Sequence, residues 1–151
     1  MSVYGLDERD LKILKALMKD ARKSYSELAE ELGLPRTTVQ EKVRRMVEKG
    51  YIKSFTAIPD YSKLGKPATA FVLISFTPMM DISQRELASM IAKMDNVYEV
   101  HLISGQWDML LKVRAGSTEE VGKLVVDNLR GIKNISKTET CFVFYTAKEQ
   151  P

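Results

Sequence analysis

The spacing of hydrophobic positions changes period along the chain. Through residues 6–22, Leu11, Leu14 and Met18, with Leu17 and Ala21 beside them, recur at the spacing of one helix face, and Asp7 and Glu8 place acids in the first turn. Ser24 and Glu27 stand in capping-box relation ahead of Tyr25, Leu28, Ala29 and Leu32, and Gly33 supplies a C-terminal cap, which predicts a second, short helix. After Leu34-Pro35 a third pattern, Val39, Val43, Met46 and Val47, runs to Gly50. Beyond Gly50 the period falls to two: Tyr51, Lys53, Phe55 and Ala57 alternate with Ile52, Ser54, Thr56 and Ile58, the pattern of a strand. Residues 59–67 then concentrate turn formers, including Pro59, Gly65 and Pro67, and read as a linker.

The second half alternates strand and helix patterns. Strands are predicted over residues 68–77, 97–104, 109–115 and 135–146. A helix over 82–95 carries Leu87, Met90, Ile91 and Met94 on one face. Another starts at Ser117, with Glu120 in capping-box relation, and carries Val121, Leu124, Val125 and Leu129 up to Gly131. The order β-α-β-β-α-β is the split arrangement of ferredoxin-like domains. The chain is therefore expected to be α+β. Residues 1–58 form a helix-turn-helix domain ending in a linker strand, 59–67 a linker, and 68–151 a βαββαβ domain. One face of such a sheet is left uncovered by its helices, so a second copy of the chain is expected to cover it.

Composition narrows the classes. No apolar run approaches the roughly 20 residues that span a bilayer, and Met1-Ser2-Val3-Tyr4-Gly5 passes directly into charged helical sequence without a leader pattern, so a cytoplasmic protein is expected. Cys141 is the single cysteine and His101 the single histidine, which leaves no disulfide framework and no Cys/His zinc site. His101 lies on the parity of Val97, Glu99 and Ile103 with no nucleophile arrangement around it, favouring a structural or interface role over catalysis. Met79-Met80 and Met90 with Met94 read as core or interface filler.

The net charge of +3 implies no partner as an average. By segment it is informative. Residues 36–53 hold Arg36, Lys42, Arg44, Arg45, Lys49 and Lys53 against Glu41 and Glu48, whereas residues 24–33 hold Glu27, Glu30 and Glu31 and no base. A short acidic helix, a tight turn and a basic helix suit a helix-turn-helix whose second helix enters the major groove of double-stranded DNA. Its exposed face offers Arg36, Thr37, Thr38, Gln40, Glu41 and Arg44 to bases and backbone. Lys42, Arg45 and Lys49 are expected mainly on phosphates.

Leu6-Asp7-Glu8-Arg9-Asp10-Leu11-Lys12-Ile13-Leu14, Glu27-Leu28-Ala29, Leu32-Gly33-Leu34, Val43-Arg44-Arg45-Met46 and Gly50-Tyr51-Ile52 resemble the DNA-binding domain of the leucine-responsive regulator/AsnC (Lrp/AsnC, feast/famine) family. His101-Leu102-Ile103-Ser104-Gly105-Gln106-Trp107-Asp108 is similar to that family's turn between the second and third strands of its sensing domain. The resemblance covers essentially the whole chain. It implies a winged-helix-like reader of pseudo-palindromic DNA, an ACT-like effector domain, homodimers that assemble further into octamers, and an amino-acid effector, with no cofactor. The effector site it implies is Ser104, Gly105, Gln106, Trp107 and Asp108. There a glycine turn exposes N–H groups to a carboxylate and the aspartate receives an ammonium. Thr138 and Thr140 stand by as hydroxyl partners. One position departs from the family: Pro35 stands where a serine commonly caps the recognition helix, so Thr37 or backbone groups are expected to cap it.

Two other readings use the same residues. A ligand-independent repressor or DNA-organising protein would keep the turn only as an oligomer contact. A haem-biosynthesis decarboxylase of related fold would need several His and Arg groups around a tetrapyrrole, which a single histidine does not supply.

Overall fold

Helix α1, Glu8–Lys19, begins at a reciprocal cap: the Asp7 side chain accepts the Asp10 N–H, and the Asp10 side chain accepts the Asp7 N–H. Helix α2, Tyr25–Leu32, has the same box from Ser24 and Glu27 and ends at Gly33 in the left-handed region, φ 63°. Helix α3, Arg36–Glu48, follows after Gly33-Leu34-Pro35. The three helices meet over Ile13, Leu17, Leu28, Val39, Val43 and Met46. Met18, expected on the apolar face of α1, is instead exposed.

The computed structural model describes residues 5–79 and 82–149; of the methionines discussed above, Met80 lies outside the described residues. The chain forms two compact units, Met1–Ile58 and Pro59–Pro151. Residues 51–58 form no strand, contrary to expectation. The Tyr51 and Ile52 N–H groups bond to Met46 C=O at the end of α3, and a strand needs a neighbour for its alternate N–H and C=O groups; among the described residues no segment pairs with residues 53–58. Phe55 and Ile58 remain exposed. Residues 59–67, expected as a linker, fold into the second unit: Lys63 and Leu64 N–H groups bond back to Asp60 C=O, and Tyr61 meets Tyr98 edge to face at 5.0 Å.

The second unit runs β1 (Ala68–Phe76), α4 (Gln84–Ile91), β2 (Val97–Leu102), β3 (Met109–Ala115), α5 (Thr118–Lys123), a π-helical turn (Leu124–Leu129) and β4 (Ile135–Phe142). The sheet is antiparallel in the order β2-β3-β1-β4, the ferredoxin-like arrangement. Ala70, Val72 and Ile74 of β1 and Met109, Leu111 and Val113 of β3 meet Leu87, Ile91, Val121, Leu124, Val125 and Leu129 from the helices. Met94 packs at the edge of this core, whereas Met79 and Met90 are exposed. At Ser117 only half of the expected capping box forms: Ser117 Oγ accepts the Glu120 N–H, but the Glu120 carboxylate takes the Gly116 N–H. The π-turn closes with Arg130 N–H donating to Val125 C=O five residues back, at 2.9 Å.

Two register shifts decide which side chains share a face. In β2, Val97 pairs with Val113 but Glu99 pairs with Lys112, so Tyr98 is bulged out. Val97 thus joins the core while Glu99 and His101 lie on the uncovered face, and the single parity expected for them is broken. In β4, Ile135 pairs with Phe76 and Lys137 with Ser75, which leaves Ser136 without an opposite residue.

Candidate functional site

On α3 the 3.6-residue period sorts the polar positions. Val39, Val43 and Met46 are buried. Arg36, Thr37, Gln40, Glu41, Arg44, Arg45 and Lys49 are exposed, and Thr38 and Lys42 are half-buried. Arg36, Gln40 and Arg44 succeed one another four residues apart and form an outward stripe. Pro35 is the N-cap residue, with φ −61° and no side-chain cap bond; its carbonyl accepts the Val39 N–H at 3.1 Å. Thr37 lies one residue inside the helix and is not its cap, so the first-turn N–H groups face outward without a side-chain acceptor at the cap.

Lys42 and Arg45 occupy a different flank. Lys42 Nζ lies 2.6 Å from Asp7 Oδ2 and 3.0 Å from Asp10 Oδ1, and Arg45 Nη2 lies 2.6 Å from Asp10 Oδ2. Asp10 is fully buried and the Lys42 side chain is 13% exposed. Both cations therefore fasten α3 to α1, and Lys42 has little surface left for the phosphate role expected of it. The hydrogen bond from Lys42, ahead of the Asp10 N–H, pushes the Asp7 carboxyl down to about 2. Burial alone would lower the Lys42 pKa; the bonds to Asp7 and Asp10 outweigh it and raise it. Among the described residues Arg44 is paired only with Glu48, at 3.8 Å and in solvent, a pair worth little. Asp10 was not recognised as a site residue from sequence, although a carboxylate three residues before Ile13, on the buried stripe, signals a buried partner.

The second candidate region gathers where β1 ends and β4 begins. Ser104, Gly105 and Gln106 form an exposed turn, and Gly105 has φ 120°, a conformation suited to glycine. Trp107 is half-buried with Lys137 Nζ 4.8 Å above its ring. The Asp108 carboxylate, expected to hold a ligand ammonium, accepts the Phe76 N–H through Oδ2 at 2.7 Å, while the Asp108 backbone bonds to Ile74 and Ile103. It clamps the turn to the end of β1. Thr138 and Thr140 are half-buried opposite Ile74 and Val72, and Thr138 Oγ1 accepts from Arg130 Nε at 3.1 Å. Beside them lies an open groove of about 400 Å³ lined by Arg130, Ile135, Ser136, Lys137 and Thr138. Nothing in the sequence had pointed to Arg130, Ser136 or Lys137, which converge only through the Ser136 bulge and the end of the π-turn.

On the uncovered sheet face Phe71, Leu73 and Leu110 are half-buried among a polar chain: Lys112 pairs with Glu99 and Glu149, Arg114 with Glu149, and His101 Nε2 lies 3.2 Å from Glu99 Oε2. Burial would raise the Glu99 pKa, but the bonds from Lys112 and His101 lower it. Arg114 also lies 4.2 Å from the Tyr61 ring centroid. Among the described residues no helix is long and apolar enough to cross a membrane.

Residues 6–53 match the family model described as winged helix-turn-helix DNA-binding, and residues 69–151 match the Lrp/AsnC ligand binding domain. An HTH-type transcriptional regulator of Pyrococcus horikoshii is 46% identical over 145 residues, covering 96% of this chain and 97% of that one. Among solved structures, E. coli AsnC superposes with a TM-score of 0.87 at 26% identity over 98% of each chain. A transcriptional regulator of Neisseria meningitidis in complex with L-Met superposes with 0.91 at 21% identity, covering 96% of this chain and 94% of that one, a likeness of fold. The chain therefore belongs to the Lrp/AsnC family: it is a transcription regulator rather than an enzyme, with a helix-turn-helix domain for DNA followed in sequence by a ligand-binding domain.

Proposed function

We propose that this regulator acts in the cytoplasm as a symmetric dimer or higher oligomer on pseudo-palindromic DNA, through the outward stripe of α3, and that an amino-acid-class effector at the β2–β3 turn alters its assembly or the spacing of its recognition helices. The observation that carries the DNA reading is the sorting of cations on α3: Lys42 and Arg45 are held by Asp7 and Asp10, leaving Arg36, Arg44 and Lys49 for DNA. Arg36, Thr38, Gln40 and Arg44 read or clamp the major groove, Thr37 and Glu41 flank them, and Lys49 meets phosphate. Arg45, 44% exposed, keeps a second edge for phosphate; Lys42 acts by holding α3.

Two observations support self-association. Among the described residues of its unit, no helix covers the sheet face bearing Phe71, Leu73 and Leu110, and residues 53–58 keep a strand's alternation with no paired strand. Half-sites about 34 Å apart would then suit a twofold pair of α3 helices. The effector reading is supported by the matched ligand-binding domain and by the L-Met bound to the Neisseria relative of the fold. Selection of bound fragments from a random DNA pool, with and without an amino-acid mixture, tests both parts. The expected result is an enriched inverted repeat whose recovery changes with the mixture. Recovery of unrelated fragments would overturn the site-specific reading, and no change with the mixture would favour a ligand-independent regulator.

A further inference from the structure

We propose that the groove on the β4 bulge is an anion site, and that the effector of this regulator is a small dicarboxylic compound, such as an acidic amino acid, rather than a neutral one. The proposal rests on the effector reading above and gives it a chemical class.

The groove is lined by a guanidinium and an ammonium, Arg130 and Lys137, by the hydroxyls of Ser136 and Thr138, and by Ile135, with no carboxylate among them. Its volume of about 400 Å³ lies in the range of small-molecule sites. Both cations are already aimed. Arg130 Nε donates to Thr138 Oγ1 at 3.1 Å, no other described side chain bonds to its terminal nitrogens, and Lys137 Nζ sits 4.8 Å over the Trp107 ring. Ser136 Oγ donates to Ser75 C=O at 3.2 Å and keeps its lone pairs. Among the described residues neither cation forms an ion pair. Asp127 and Glu139, the nearest acids in sequence, do not line the groove.

Several other cations of this unit are paired. Lys112, Arg114 and Lys123 each hold a carboxylate. Two unpaired cations facing one groove repel each other mildly, and a ligand with a carboxylate for each removes that cost while making charge-assisted hydrogen bonds. A neutral amino acid supplies one carboxylate and adds an ammonium. The acid expected to receive that ammonium, Asp108, has Oδ2 committed to the Phe76 N–H. The Ser136 bulge on an edge strand brings the two cations together, and bulges recur beside binding sites because they re-aim side chains.

Calorimetric titration and thermal unfolding of the full chain, with glutamate and succinate against glutamine and methionine, test the assignment. Glutamate and succinate should raise the melting temperature in a concentration-dependent way, with glutamine and methionine at least about tenfold weaker. Arg130→Gln and Lys137→Gln, both at exposed side chains, should each weaken dicarboxylate binding by about tenfold or more, while Lys133→Gln, a nearby cation outside the groove, should leave it intact. Equal binding of glutamine would overturn the charge preference and leave the effector reading standing; no response to glutamate or succinate would overturn the proposal, and the effector reading falls only if the full amino-acid mixture also gives none. Binding unaltered by the two groove variants, or lowered equally by Lys133→Gln, would overturn the site. A changed assembly mass in ligand-free Arg130→Gln or Lys137→Gln, without loss of ligand response, would assign the groove to a contact between copies instead.

Discussion

The helical unit and the α+β unit both carry chains of ion pairs, and each uses them differently within its own fold. In the first the buried Asp10, with the exposed Asp7 beside it, draws Lys42 and Arg45 to the α1 flank and fastens α1 to α3. The outward stripe of α3 is left positive. In the second, Glu99 and Glu149 draw Lys112 and Arg114 onto the uncovered sheet face, while Arg130 and Lys137, in no ion pair among the described residues, line the groove at the β4 edge. The number of bases does not decide which surface meets an anion. The position of the acids does, which is why a net charge of +3 implies nothing until it is resolved by segment.

The largest test removes the inner anchor. Asp10→Ala leaves Lys42 and Arg45 without their buried acceptor and should destabilise the helical unit by about 3–5 kcal/mol. Far-UV circular dichroism during thermal unfolding should show early helix loss, while fluorescence of Trp107, the single tryptophan and part of the other unit, reports the sheet. Unchanged melting would contradict the anchoring role.

On the outer stripe, Arg44→Ala should weaken binding to a selected DNA site by about 1–3 kcal/mol without changing stability, since its one pair is exposed. Lys148→Ala serves as the control, and equal affinity of the two variants would remove Arg44 from the interface. In the α+β unit, Asp108→Ala should cost about 1–3 kcal/mol of stability with no ligand present, because the Phe76 N–H loses its acceptor. Asp108→Asn, which keeps an acceptor oxygen, should lose less. A neutral result for both would mean that the aspartate is not the clamp.

The smallest effect is in acid. With Asp7 pushed down to about 2 from its ordinary 3.8, its link to Lys42 contributes fully above the ordinary value and is lost as pH falls toward 2. Unfolding measured across that window should be less acid-sensitive in Asp7→Asn than in the parent chain. Identical pH profiles would show that the exposed part of the network contributes nothing.

Local signals made most of the fold legible. The Ser24–Glu27 box and Gly33 bound α2, the 3.6-residue stripes locate α1 and α3, and the strand–helix order gives the β-α-β-β-α-β unit. What periodicity could not carry was pairing across distance. Lys42 is on α3 by its spacing, yet its partner Asp10 lies 32 residues away and only packing brings them together. Parity fails at Tyr98 and Ser136 because one bulged residue turns the rest of a strand over. Residues 51–58 have the alternation of a strand, but alternation reports a surface and not a partner. Asp108 was legible as a turn acid, whereas its bond to Phe76 depends on how β1 ends.

The most direct test of the sorted-cation account is the salt dependence of binding to one selected DNA site. The slope of log affinity against log salt should fall by roughly 0.9 for each phosphate contact removed. Lys49→Ala and Arg36→Ala should therefore flatten the slope, each by up to that amount, and Lys42→Met, measured where the chain remains folded, should leave it unchanged. A Lys42→Met slope as flat as that of Lys49→Ala, or parent slopes in Lys49→Ala and Arg36→Ala, would contradict it.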